Sequence, residues 1–157
     1  MQLLSESPQQ TRRLGLALGA QLLPGDLVCL SGPLGAGKTW LAAAIGSGWG
    51  ALQPLASPTF TLLHEHRRRH DATTLHHLDC YRLRDADEAL QAGLATAFAG
   101  DGPALLEWPE RITAILPPQR LWIELEILTP GRRRLTCTAG DARHQALLRA
   151  LQQPAGA

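Results

Sequence analysis

The chain has no asparagine, and Lys38 is its only lysine; of its 15 basic residues the other fourteen are arginine. Without asparagine it cannot carry the Asn-Lys-x-Asp motif by which GTPases read guanine. The double shortage reads as a bias against a few codons, as in a GC-rich genome, so the one lysine that survives needs a reason. Cysteine is also scarce: Cys29, Cys80 and Cys137 are far apart, odd in number and form no C-x-x-C pair. That is poor material for a disulfide framework or a zinc site and suits a reducing cytosol. Each cysteine lies in an apolar, strand-like context, where a buried inert thiol is expected. No stretch approaches the about 18 uninterrupted apolar residues of a membrane helix. The start lacks a basic segment followed by an apolar core, so no leader is expected and the expected location is cytoplasmic. The net charge of +1 provides no global field toward nucleic acid or anionic lipid, so any such partner must be met through a local patch.

With 45% apolar residues, the 157-residue chain has ample material for one buried core. A single domain over residues 1–153 is expected, with 154–157 a short disordered Pro/Ala/Gly tail. Ser7-Pro8-Gln9-Gln10 is a helix start, and the helix should run to about Leu23, stopping at Pro24-Gly25. "DLVCLS" (26–31) reads as a buried strand. A helix follows over about 38–48. Strands are expected within 57–66 and 74–83, a helix over 85–93, and a short buried strand over 103–108. Residues 120–128 and 132–139 flank Thr129-Pro130-Gly131 as a hairpin, and 141–153 closes as an amphipathic helix. Early alternation of strands with helices, then hairpins, predicts an α/β fold with a mixed parallel and antiparallel sheet.

Between the first buried strand and the second helix lies Gly32-Pro33-Leu34-Gly35-Ala36-Gly37-Lys38-Thr39, a match to G-x-x-x-x-G-K-[ST] at every fixed position. At the average protein usage of about 7% glycine, chance supplies this pattern in roughly one chain of this length in two hundred, and the strand-before, helix-after context lowers that further. The glycines allow successive N–H groups to point inward at phosphate oxygens, and the helix beginning near Lys38 adds its positive end. Thr39 can offer a hydroxyl to a magnesium ion bridging the outer phosphates. Lysine is a compact charge on a flexible stem, whereas arginine's planar fork has little room inside such a loop. Geometry therefore forbids the swap at Lys38. The expected nucleotide contacts are Gly32, Leu34, Gly35, Ala36, Gly37, Lys38, Thr39 and the adjoining Trp40.

Such a site needs an acid for magnesium at the end of a strand beside the loop. "ALLE" places Glu107 there and "LHHLD" places Asp79 similarly. Glu107 is assigned to the metal, directly or through water, and Asp79 to orienting water or the γ-phosphate; the reverse assignment stays open. Ser57-Pro58-Thr59 could sense the γ-phosphate or simply form a capped turn. Five of the six histidines fall between positions 64 and 77, but no cysteine or carboxylate framework closes a metal site around them. They read as the tip and flanks of a hairpin. Arg67–Arg69 and Arg132–Arg134 read as solvated turns, or as contacts to RNA phosphate or an acidic partner. Trp40, Trp49, Trp108 and Trp122 suit a core, and Trp108 could instead stack on a base or face a partner.

"GPLGAGKT", "SPTFTL", "HLDCYRL" with "DADEALQAG", and "LLEWPER", in this order and spacing, resemble the TsaE (YjeE) family over about Ser7 to Gly140. The resemblance implies a small P-loop domain, ATP and Mg2+ as ligands, and weak ATP hydrolysis stimulated in a complex with TsaD and TsaB. It further implies a role in threonylcarbamoyladenosine modification of tRNA, with tRNA met through the complex. Lys38 and Thr39 match the Walker lysine and magnesium threonine, Glu107 the metal acid, Asp79 the second acid, and Ser57-Pro58-Thr59 a switch-like loop. Trp108 matches the tryptophan after the metal acid. The adenine is implied near Thr11 and Arg132. Trp40 departs from the second threonine of many relatives, removing a hydroxyl near the α-phosphate. The remaining alternatives are a P-loop protein that binds nucleotide with negligible turnover, and a small-molecule kinase, for which no arginine-rich lid insertion is evident.

Overall fold

A computed structural model describes residues 1–57, 61–98 and 100–152. Gln2–Ser5 forms β1, Pro8–Gly19 α1, Leu27–Ser31 β2 and Lys38–Trp49 α2. Leu63–Arg67 is β3, Thr74–Asp79 β4, Ala86–Gln91 α3 and Ala104–Glu107 β5. Leu121–Thr129 is β6, Arg132–Ala139 β7 and Ala142–Gln152 α4. Every residue of β2 is buried, because its side chains alternate between two cores. Val28 and Leu30 join Leu18, Leu41, Ile45 and Ile123 on one side. Leu27 and Cys29 join Leu78, Leu106 and Ile112 on the other. A strand covered on both faces has no polar alternate position, hence its unbroken apolar run.

Among the described residues the sheet has seven strands, in the order β1-β7-β6-β2-β5-β4-β3. The central four, β6, β2, β5 and β4, run parallel, and β7, β1 and β3 are added antiparallel at the edges. This is the expected α/β fold with a mixed sheet. The edge strand β1 had no sequence signal of its own, being four residues long and only partly buried. The three cysteines are buried thiols. Among the described residues no helix is long and apolar enough to cross a membrane. The expected tail, 154–157, lies outside the described residues.

Ser7 caps α1, its hydroxyl accepting from the Gln10 amide at 3.1 Å. The helix stops at Gly19 rather than near Leu23. The Leu23 amide is instead satisfied by the Asp26 carboxylate at 2.8 Å, a side-chain bond that competes with another helical turn. Helices α1 and α2 cross in close contact: a Cβ on Gly19 would lie 2.0 Å from the Ile45 carbonyl oxygen, and one on Gly48 would lie 2.2 Å from that of Leu16. Asp26 also clasps α4. Arg143 donates to both of its oxygens, at 2.9 and 2.6 Å, and the carboxylate side is only 3% exposed. Removing one partner of a buried ion pair costs about 3–5 kcal/mol. With Arg143 partly solvated, Asp26→Ala should lose about 3 kcal/mol in urea denaturation. A change within error would assign the clasp no net stability.

Acid should weaken the fold in two stages. Burial, with His77 and His64 nearby, holds His66 below its usual range. A histidine disfavoured as a cation stabilises fully above its unfolded value of about 6.5, and that contribution shrinks as pH falls. Asp141 is held low by the His144 backbone amide and then its side chain, and Glu6 by the Arg132 guanidinium. Their contributions persist above about pH 4 and vanish as pH falls through the lowered folded values. The urea midpoint should therefore drop modestly from pH 7.5 to 5.5 and further by pH 3.5. A rising midpoint over either interval would contradict these directions.

Candidate functional site: a phosphate loop with two acids

The glycine loop leaves the end of β2 and closes at Gly37, the left-handed residue (φ 100°) that caps α2. Gly35 has φ 80°; a Cβ at either position meets nothing within 4 Å, so backbone conformation is what requires glycine. At Gly32 the demand is steric as well, since a Cβ would lie 2.5 Å from the Leu125 carbonyl oxygen. Lys38 opens α2 and is 5% exposed. Its ammonium donates to the carbonyls of Gly32 and Pro33 at 2.6 and 2.8 Å and lies 3.9 Å from the Trp108 ring centroid. Burial lowers its pKa, against the opposing pull of Glu107, Glu110 and Asp79.

Sheet register brings the acids to the loop. Glu107 on β5 is level with Leu30 on β2 and with Asp79 on β4. All three strands point their carboxyl ends at one crevice, the usual ligand position in open α/β sheets. Glu107 is 1% exposed; one oxygen accepts from the Thr39 hydroxyl at 2.8 Å and the other faces His77 Nε2 at 2.7 Å. Asp79 accepts from the Ser57 hydroxyl at 2.7 Å and from the Tyr81 amide at 2.9 Å. The second bond turns the chain and ends β4 earlier than its sequence suggests. Trp108 is held at φ 58°, the one non-glycine with positive φ among the described residues. Its indole sits 4.9 Å from the Tyr81 ring.

Lys38, Thr39, Asp79, Glu107, Leu34, Gly35, Gly37, Trp40, Ser57, Tyr81 and Trp108 line one cavity of about 320 Å³. A second, more apolar cavity of about 260 Å³ shares Gly37 and Trp40 with it. Thr11, Ala36, Pro8, Pro130, Gly131 and Arg133 complete its lining. Thr11 thus stands beside the loop, its hydroxyl 2.6 Å from that of Ser5. Arg132 does not: it pairs with Glu6 at the surface. Its neighbour Arg133 takes the inward position, and its Nε donates to the Ala36 carbonyl at 2.7 Å. Alternation along a strand sends consecutive side chains to opposite faces, so a shift of one residue separates the two roles. Gly32 and Ala36 lie in the loop itself, and Thr59 lies outside the described residues.

Magnesium takes few protein ligands, all oxygen, and fills its shell with phosphate and water. The Thr39 hydroxyl and the Glu107 carboxylate, in mutual contact, are donors of that kind. Among the described residues no group of three His, Cys, Asp or Glu could hold a metal alone. The histidine run spans the β3–β4 hairpin as expected, and on its flanks His66, His76 and His77 are buried. Arg132–Arg134 opens β7, directly beside the hairpin turn. Of the tryptophans, Trp49 is core at 2% exposure, and Trp40 is half-exposed, its Nε1 donating to the Pro8 carbonyl at 3.0 Å.

A glycine loop between a central parallel strand and a helix, facing two acids at neighbouring strand ends, defines a P-loop NTPase-type domain. The family model "Threonylcarbamoyl adenosine biosynthesis protein TsaE" matches residues 5–135, and the chain belongs to the TsaE family. It is 37% identical to the tRNA threonylcarbamoyladenosine biosynthesis protein TsaE of Treponema pallidum over 87% of this chain and 98% of that protein. To the protein of the same name from Bacillus subtilis it is 35% identical, over 94% and 90% of the two chains. The crystal structure of Bacillus subtilis YdiB superposes with a TM-score of 0.75 at 30% identity, covering 97% of this chain and 93% of that one.

Proposed function

We propose that this protein binds ATP with magnesium and hydrolyses it slowly, as a component of tRNA threonylcarbamoyladenosine modification acting with TsaD and TsaB. The observation that carries the reading is the convergence of Lys38, Thr39, Glu107 and Asp79 on one cavity at the phosphate loop. Loop amides would cradle the phosphates, and Lys38 would exchange the Gly32 and Pro33 carbonyls for phosphate oxygens. Thr39 and Glu107 would hold magnesium, which neutralises charge developing on the outer phosphates. Asp79, fixed by Ser57 and the Tyr81 amide, would orient the water that attacks the γ-phosphorus, breaking its bond to the bridging oxygen of ADP. The apolar cavity beside Thr11, Trp40 and Arg133 would receive the base.

Turnover is expected to be slow in the isolated chain, since no arginine is among the described residues that line the phosphate cavity to stabilise the transferring group. Single-turnover hydrolysis measured alone and with TsaD–TsaB tests the reading, and the mixture should be faster. Equal, near-background rates in both would leave a nucleotide-binding protein without catalysis. With a net charge of only +1, contact with tRNA should depend on the partners.

A further inference from the structure

His77 lies two residues before Asp79 on β4, on the same strand face, with no exposed surface. Among the described residues its ring makes one polar contact, Nε2 to Glu107 Oε2 at 2.7 Å, while Nδ1 is buried with no partner. An ionised carboxylate only accepts hydrogen bonds, so the partners assign the ring proton to Nε2. Nδ1 is then a bare lone pair, which is cheaper to bury unpaired than an N–H. Leu75 and Leu78 on the same strand, and Leu105 opposite His77, are all buried. A leucine at 77 would meet the packing requirement without a polar atom. What the imidazole adds is the bond to Glu107.

That bond decides which way the carboxylate faces. The last torsion of a glutamate is broad and nearly two-fold, so a single donor fixes it poorly. Here the two oxygens have separate donors, His77 at Oε2 and Thr39 at Oε1. We infer that His77 is a positioning residue: by tying Oε2 it leaves Oε1, the oxygen on the Thr39 side, as the one that would hold a magnesium ion. The inference rests on the reading of Thr39 and Glu107 as the magnesium side of a nucleotide site. Partners that orient metal ligands typically contribute about 10- to 100-fold in metal affinity.

The test is calorimetric titration with ATP, in excess magnesium and in EDTA, of the full chain and two variants. His77→Leu should lose about 10- to 100-fold of the affinity that magnesium adds, while its affinity in EDTA stays within about twofold of the parent. His77→Gln, whose amide can donate toward Oε2, should regain much of the increment. A parent protein whose affinity is the same in both media overturns the site reading and this inference together. A magnesium increment in the parent that survives intact in His77→Leu overturns the inference alone. Equal losses in both media would make His77 merely structural and also overturn it. Should His77→Leu not fold, the decision passes to the parent protein with 15N-labelled histidine. There, His77 should be protonated at Nε2, and its signal should move with ATP plus magnesium but not with ATP in EDTA. An unprotonated Nε2, or a signal indifferent to the metal, overturns the positioning role.

Discussion

Lys38→Ala is expected to abolish measurable ATP binding, with the fold retained. The ammonium is the sole lysine charge, buried at the loop and within reach of both its carbonyls and the cavity. Hydrogen bonds to charged groups contribute about 1.5–3 kcal/mol each. After exchange of the Gly32 and Pro33 carbonyls, a net loss of about 3 kcal/mol corresponds to roughly 150-fold in Kd. Lys38→Arg separates charge from shape: it keeps the cation but replaces a slender stem with a planar fork. It should bind almost as poorly as Lys38→Ala. Calorimetry with both variants checks this, and parent-like affinity in Lys38→Ala would remove the phosphate role from the loop.

For Glu107→Ala the expected loss is in turnover more than in affinity. The Thr39–Glu107 contact offers magnesium its protein oxygens, and metal stabilisation of transition-state charge amounts to several kcal/mol. Magnesium-dependent turnover should fall by about 100-fold or more, while ATP affinity measured in EDTA should change little. The substitution also leaves the His77 imidazole buried without an acceptor, at about 1–3 kcal/mol, so a thermal melt must accompany the kinetics. Glu107→Gln keeps the shape and removes the charge, and it should fail similarly. Unchanged single-turnover phosphate release in a folded Glu107→Ala protein would move the metal role to Asp79.

Local grammar made much of this protein legible. The two-sided burial of Leu27–Ser31 is written in its apolar run, and the Ser7 cap in its Ser-Pro-Gln-Gln signature. The glycine loop and its lysine are contiguous, so their pattern survives without any knowledge of the fold. Residues brought together over distance were less legible. The run His64–His77 was legible as the tip and flanks of a hairpin, but the burial of His66, His76 and His77 and the contact of His77 with Glu107 were not, because sequence proximity is visible and burial is not. That Arg133 rather than Arg132 turns toward the loop was not legible, because the phase of a hairpin strand depends on its register with β1 and β6.

By itself, the sequence determined the α/β class, the phosphate loop and the identity of its one lysine, since each depends on neighbours within a few positions. Only the tertiary structure decided that β5 inserts between β2 and β4, setting Glu107 level with Asp79 and within reach of Thr39 and His77. Strand order and register arise from the burial of whole faces against distant segments, and no short stretch of chain encodes that choice.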